Sequence, residues 1–327
     1  MILGIDIGGT KCAVILAEKI GENIKLTDKR KIPTDLSVSP EKMIDTLIMH
    51  ADDMLKGTKP EKIGISCGGP LNSAAGIIEG PPNLPGWENV KIVEILENHY
   101  GVKAKLQNDA NACALAEWKW GAGRGTENMV FLTFGTGMGA GLILNNRLYE
   151  GTSSMAGEVG HIRLAPSGPV GYGKSGSFEG FCSGGGIASM GRTAAERAFR
   201  KGGSVSYCPS VNALSSVSAK GIAEAALSGH ADAKRIFRVC GEKLGAALAI
   251  LVDVLNPEVI VIGSIFARVP ELLISSMERR LREEALPESL CVCRVVPAGL
   301  GETLGDFAAL SCAAQAAENA AKAEKHP

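Results

Sequence analysis

The stretch "ILGIDIGGTKCAVILA", Ile2 to Ala17, decides the fold. Two apolar, β-branched runs flank Gly8-Gly9, the pattern of two strands joined by a glycine turn. Such a turn leaves backbone N–H groups free to point at an anion, with Thr10 and Lys11 as further donors. Asp6 stands at the end of the first strand, where a carboxylate can hold Mg²⁺ through water. The G-x-x-x-x-G-K-S/T spacing of a P-loop is absent. Taken alone, the stretch fits an ordinary hairpin turn equally well.

The same layout recurs further along. In "NMVFLTFGTGMGAGLILNNRLYEG", Gly135, Gly137, Gly139 and Gly141 alternate between two apolar runs. Such density weakens a sheet and calls for a close approach of backbone or ligand, with a bulge as the plainer explanation. Two glycine-turn hairpins in two halves predict two α/β domains with a cleft between them. Glycine and polar residues in "WGAGRGTEN", Trp120 to Asn128, mark the boundary. The expected division is 1–120, 121–303 and a C-terminal alanine-rich helix within 304–327, placed to pack on the first domain.

Between the hairpins, "EKMIDTLIMHADDML" has helical spacing and "EKIGISCGGP" reads as a buried strand ending in glycine. A long helix is predicted over Ala231 to Leu255, followed by the strand of "NPEVIVIGS". "SLCVCRVV" reads as a strand carrying Cys291 and Cys293, and the serine-rich segment 200–220 as a surface excursion.

Composition excludes several classes. The 327 residues carry a net charge of −1 and are 45% hydrophobic, which gives no basic surface for nucleic acid or anionic membrane. Nine scattered cysteines read as reduced thiols of a cytoplasmic protein. The N-terminus lacks a basic n-region and does not read as a signal peptide. The longest apolar run, "LGAALAILV", falls short of the ~20 residues that span a bilayer.

Two further stretches carry chemistry. In "QNDANACALAEW", Asp109 lies where a strand meets a helix. It reads either as a helix cap or as a general base that accepts a hydroxyl proton during phosphoryl transfer. In "GEVGH", Glu158 and His161 are one helical turn apart between glycines, and Glu179 and Asn83 add hydrogen-bonding groups. A polyol needs such donors and acceptors together. His161 by itself reads equally as structural.

The combination resembles the ROK family of sugar kinases and sugar-sensing repressors, from Ile2 to about Ala313. The resemblance implies a two-domain actin-like, hexokinase-like (ribonuclease H-like) ATPase fold with an interdomain cleft. "GIDIGGTK" is similar to the first phosphate motif, implying ATP contacts from Asp6, Gly8, Gly9, Thr10 and Lys11. "TFGTGMGAG" is similar to the second, implying contacts from Thr133, Gly135, Thr136, Gly137 and Gly139. "NPEVIVIGS" resembles the approach to the adenosine pocket at Gly263 and Ser264, although a second glycine is usual at Ser264. "NDAN" implies Asp109 as base and Asn108 as a sugar contact. "PPNLPGWENV" resembles the glucose-kinase form of the substrate loop, implying a contact from Asn83. Gly69, Glu158, His161 and Glu179 complete the implied sugar site.

One departure stands out. After G-x-x-G-H the family usually carries C-x-C-G-x-x-G-C-x-E, whose three cysteines and histidine bind a structural zinc. Here Val170, Tyr172 and Ser177 occupy the cysteine places while the glycines and Glu179 remain. A structural zinc needs about four good ligands, and only His161 is left. No structural zinc is expected, with Val170, Tyr172 and Phe178 filling the space by apolar contact.

The expected activity is ATP- and Mg²⁺-dependent phosphorylation of a hexose, glucose at the 6-hydroxyl first, by a cytoplasmic homodimer. The alternative is an N-acetylhexosamine, N-acetylglucosamine or N-acetylmannosamine, or another sugar served by a kinase of the same family. Of another class is a non-catalytic sugar-binding or regulatory protein. A repressor would need an added N-terminal winged helix, and here the phosphate motif starts within the first few residues.

Overall fold

The computed structural model describes residues 1–323, with 316–323 as helical backbone only; the expected helix at 324–327 lies outside the described residues. The chain divides into two compact units. The first contains Met1–Gly125, Gly151–Ser154 and the segment from Glu302, and the second contains Thr126–Glu150 and Met155–Gly301.

In the first unit, β1 (Ile2–Ile7), β2 (Lys11–Ile20), β3 (Asn23–Pro33) and β4 (Lys62–Cys67) precede a small antiparallel pair, β5 (Leu71–Asn72) and β6 (Ile77–Ile78). β7 (Ala104–Asn108) completes a five-stranded sheet of order β3-β2-β1-β4-β7. β1 to β3 are antiparallel, while β1, β4 and β7 are parallel. β1 and β4 are mostly apolar and buried along their length, as strands covered on both faces are, whereas β7 carries Lys105, Gln107 and Asn108. On one face lies α1 (Pro40–Leu55), started by the Ser39 cap and Pro40, with Met43, Leu47 and Met54 buried as the spacing predicts. α2 (Ile92–Tyr100) and α3 (Asp109–Trp120) follow.

The second unit repeats the plan. β8 (Met129–Leu132), β9 (Ala140–Leu144) and β10 (Arg147–Leu148) form the antiparallel part. β11 (Val170–Gly171) and β12 (Lys174–Ser175) make a separate hairpin, and β13 (Val259–Ile262) and β14 (Arg294–Pro297) run parallel to β8. The sheet order is β10-β9-β8-β13-β14, the same as in the first unit. Helices α4 (Phe178–Phe181), α5 (Gly184–Arg200), α6 (Ala219–Leu227) and α7 (Ala231–Leu255) pack with it. α7 has the predicted bounds. It stops because Asn256 adopts the left-handed conformation and donates its N–H to Val252, with Pro257 next. α8 (Ile265–Arg268), α9 (Ile274–Glu284) and α10 (Pro287–Leu290) complete the unit. Its core runs through Leu132, Phe134, Phe178, Phe237, Leu244 and Leu248, all buried.

The last helix, α11 (Leu304–Ala323), belongs to the first unit. It lies against β1 and β4 so closely that a Cβ at Gly64 would overlap the Ala309 carbonyl. One strand expectation fails. Cys291 caps α10, Cys293 precedes β14, and the strand begins only at Arg294. Pro287 opens a short helix that uses up the first half of the run. No helix among the described residues is long and apolar enough to cross a membrane.

Candidate active site

Open α/β sheets bind ligands beyond the carboxyl ends of their parallel strands. Several predicted residues of the first unit lie there: Gly8 and Gly9 after β1, Gly69 after β4, and Asn108 and Asp109 at the end of β7; Asp6 lies within β1, and Asn83 comes from the loop after β6. In the first glycine turn the carbonyls are used. Gly8 O accepts from Thr34 Oγ1 at 2.5 Å, and Thr10 O accepts from Thr34 N at 3.1 Å. The N–H groups of Gly8, Gly9 and Thr10 have no main-chain acceptor among the described residues. That is the donor set a phosphate requires. The loop of "PPNLPGWENV" is pinned by Leu84 and Trp87, both buried, and presents Asn83 at the surface. Asn83 sits directly on the turn: a Cβ at Gly9 would overlap its carbonyl oxygen, and one at Gly68 would lie 3.6 Å from its Oδ1.

The strand–helix junction separates the two readings of Asp109. The cap of α3 is Asn108, whose Oδ1 accepts from Asn111 N at 2.8 Å. Asp109 is the first helical residue, and its Oδ1 accepts the adjacent Ala110 N–H at 2.8 Å. Its residue surface is open to solvent, yet protein crowds it closely enough to raise its carboxyl pKa by desolvation.

Asp6 is raised to about 6 by burial first, then by the charges of Asp109 and Asp306, against a hydrogen bond from Ser66 and the charge of Lys11. Asp306, in the first turn of α11, was not singled out in the sequence. It is nearly buried and ion-paired with Lys29. A carboxyl with a raised folded-state pKa binds its proton more tightly in the folded chain. Its contribution to stability is therefore full below about 3.8 and lost as pH rises through about 6. Asp6→Asn removes that dependence. The unliganded variant is expected to differ little from wild type in stability near about pH 4 and to exceed it near pH 7.5 by roughly 3 kcal/mol, read as a higher Tm at the higher pH only. A difference in Tm that is the same at both pH values would contradict the assignment.

In the second unit, Thr133 to Gly139 form the loop between β8 and β9. Gly135 N donates to Gly137 O and Gly139 N to Thr133 Oγ1, both at 3.0 Å. The N–H groups of Thr136 and Gly137 have no main-chain acceptor among the described residues. Gly263 and Ser264 follow β13, and a Cβ at Gly135 would lie 3.5 Å from Ser264 Oγ. Ser264 has φ of +50°, a conformation that favours glycine. Sequence reading missed the start of α5, where Ser183 caps the helix and Gly184 N donates to Gly135 O at 2.8 Å. The cap serine before three glycines was the available signal.

Glu179 ties two predicted groups together. Its Oε2 accepts from Met138 N at 3.0 Å, and a Cβ at Gly160 would overlap the Met138 carbonyl. The "GEVGH" stretch therefore packs on the second glycine loop. Val159–His161 forms a single 3₁₀ turn that leaves Glu158 and His161 exposed.

The loop from His161 to Gly180 is held by hydrogen bonds. Phe178 N donates to Ile162 O and Leu164 N to Gly176 O, each at 2.8 Å. Ser177, fully buried, donates to Gly171 O at 3.4 Å and accepts from Gly180 N at 3.1 Å. The apolar filling expected of Val170 and Tyr172 is not found: they are 61% and 80% exposed, and only Phe178 is buried. A hairpin this small turns those side chains outward. Cys182 points away as well, its thiol donating to Cys240 O at 3.4 Å. Among the described residues no group of three or more His, Cys, Asp or Glu is arranged to hold a metal.

Two sheets of one topology, each ending its central strand in a glycine loop, define the actin-like, hexokinase-like class of α/β proteins. Within that class the chain belongs to the ROK family, whose model matches residues 2–316. A glucokinase of Thermotoga maritima is 30% identical over 315 residues, 95% of this chain and 96% of its own. The crystal structure of a ROK family glucokinase from Streptomyces griseus in complex with glucose and AMPPNP superposes with a TM-score of 0.74 at 28% identity. It covers 96% of this chain and 99% of that one. An N-acetylmannosamine kinase of Citrobacter koseri is 34% identical over 188 residues, 57% of this chain and 63% of its own.

Proposed function

We propose that the protein transfers the terminal phosphoryl group of ATP to a hexose, with glucose at its 6-hydroxyl as the substrate. The observation that carries this reading is the Asn108–Asp109 junction. Asn108 takes the capping role, so Asp109 is left as a desolvated acid at the carboxyl end of β7. Asp109 accepts the hydroxyl proton as the sugar oxygen bonds to phosphorus and ADP departs. Its raised pKa sets the acidic limb of activity above the ordinary range for an aspartate, and turnover falls as the pH drops through it.

The unspent N–H groups of Gly8, Gly9 and Thr10 fit one set of phosphate oxygens, and those of Thr136 and Gly137 fit another. Lys11, Thr133, Gly135 and Gly139 build the same two loops, and Gly263 and Ser264 form the turn assigned to adenosine. Asp6 is the residue that would hold Mg²⁺ through water; when bound, the metal neutralises charge on the phosphates. The sugar is assigned to Gly69, Asn83, Asn108, Asp109, Glu158, His161 and Glu179. No structural zinc is assigned, because hydrogen bonds from Ser177 and the main chain hold its loop.

The glucose assignment rests on the "PNLPGW" loop and its anchored Leu84 and Trp87. The relative named for N-acetylmannosamine keeps the N-acetylhexosamine alternative in view, over 57% of the chain against 95% for the Thermotoga maritima glucokinase. kcat/KM measured with ATP and Mg²⁺ is expected to be higher for glucose than for N-acetylglucosamine or N-acetylmannosamine. A preference for either N-acetyl sugar replaces the substrate and leaves the chemistry. All nine cysteines are free thiols, which supports a cytoplasmic location. A homodimer belongs to the same reading, and a monomer by light scattering would remove it.

A further inference from the structure

Tyr172 holds a backbone conformation that its side chain disfavours. The β11–β12 hairpin closes on Tyr172 and Gly173, with φ of +44° and +75°. This is a primed turn, whose first position suits Asn, Asp or Gly. An aromatic residue there carries a steric cost. Burial does not offset it, since Tyr172 is 80% exposed.

What the ring does touch is His161. The two rings are 6.2 Å apart between centroids and inclined at 76°. This is the edge-to-face arrangement that attracts aromatic rings. The same hairpin reaches His161 a second time, through Lys174 Nζ, which donates to His161 O at 2.7 Å. The hairpin is in turn fastened through Gly171 to the buried Ser177. One short hairpin therefore grips both the ring and the main chain of an exposed histidine.

We propose that Tyr172 is a positioning residue that orients the His161 ring for its contact with the sugar. The proposal rests on the reading that His161 binds sugar. A strained residue at a turn tip is explained if its ring supplies the restraint that the absent cysteine ligands do not.

The test compares Tyr172→Gly with Tyr172→Phe. Glycine suits the positive φ, so Tyr172→Gly is expected to fold with a Tm equal to or above wild type. It is expected to raise the sugar KM by about 3- to 10-fold, the worth of one aromatic pair, with kcat within about twofold. Tyr172→Phe keeps the ring and is expected to retain the wild-type KM. A second readout needs no activity: the His161 ring proton resonances, identified by their loss in His161→Gln. They should move in Tyr172→Gly and stay in Tyr172→Phe. An active wild type with a Tyr172→Gly KM unchanged overturns the proposal, whether or not the resonances move. Stoichiometric zinc in the purified protein overturns it too. A wild type that phosphorylates no hexose, with the resonances behaving as expected, overturns the sugar-kinase reading instead.

Discussion

Asp109→Asn is expected to lower sugar turnover by roughly 10²-fold or more while leaving sugar affinity nearly unchanged. Asparagine has the same shape and can still accept the Ala110 N–H that Asp109 Oδ1 accepts at 2.8 Å. The helix start is unaffected, because its cap is Asn108. What the substitution removes is the proton acceptor and one negative charge. Loss of that charge also relieves Asp6, whose pKa it helps to raise, so Asp6 should titrate lower in the variant. Turnover and calorimetric sugar binding, measured on the same preparation, check the split. Near-normal turnover would remove Asp109 from the mechanism.

Gly9→Ala has the other large expected effect. A Cβ there would overlap the Asn83 carbonyl and lie 2.8 Å from the Asn83 Cβ. Backbone cannot step aside as a flexible side chain can, so either the glycine turn or the loop that carries Asn83 must move. Overpacking of this kind costs about 1–3 kcal/mol of stability. Displacement of reacting groups by an ångström can cost roughly 10²-fold in rate. The expected result is a fall in kcat/KM of about that size, with both the ATP and the sugar KM raised, in a chain that still folds. A kcat/KM within twofold of wild type would show that the contact between turn and loop has no part in the site.

The elements legible in the sequence are those encoded locally. Gly8-Gly9 and the alternating glycines from Gly135 announce turns because few other residues allow them. The apolar period from Ala231 to Leu255 gave a helix with those bounds. The join at Asn108-Asp109 was also visible, but which residue was the cap was not, since both types cap well. The residues that stayed hidden owe their place to the folded chain. Asp306 reaches Asp6 because α11 returns to β1 after the whole second unit, and no local pattern carries that. Glu179 was assigned to sugar; its hold on Met138 N depends on a loop some forty residues away in sequence. The short α10 broke the strand expected through Cys291 and Cys293 because Pro287 starts a helix that periodicity over a few residues does not reveal.

The most direct test of sugar phosphorylation is phosphorus NMR of the protein with ATP, Mg²⁺ and glucose. The account predicts growth of glucose 6-phosphate in step with ADP, and no such signal from Asp109→Asn on the same timescale. ADP released with inorganic phosphate and no phosphosugar, from glucose or from either N-acetyl sugar, would contradict it.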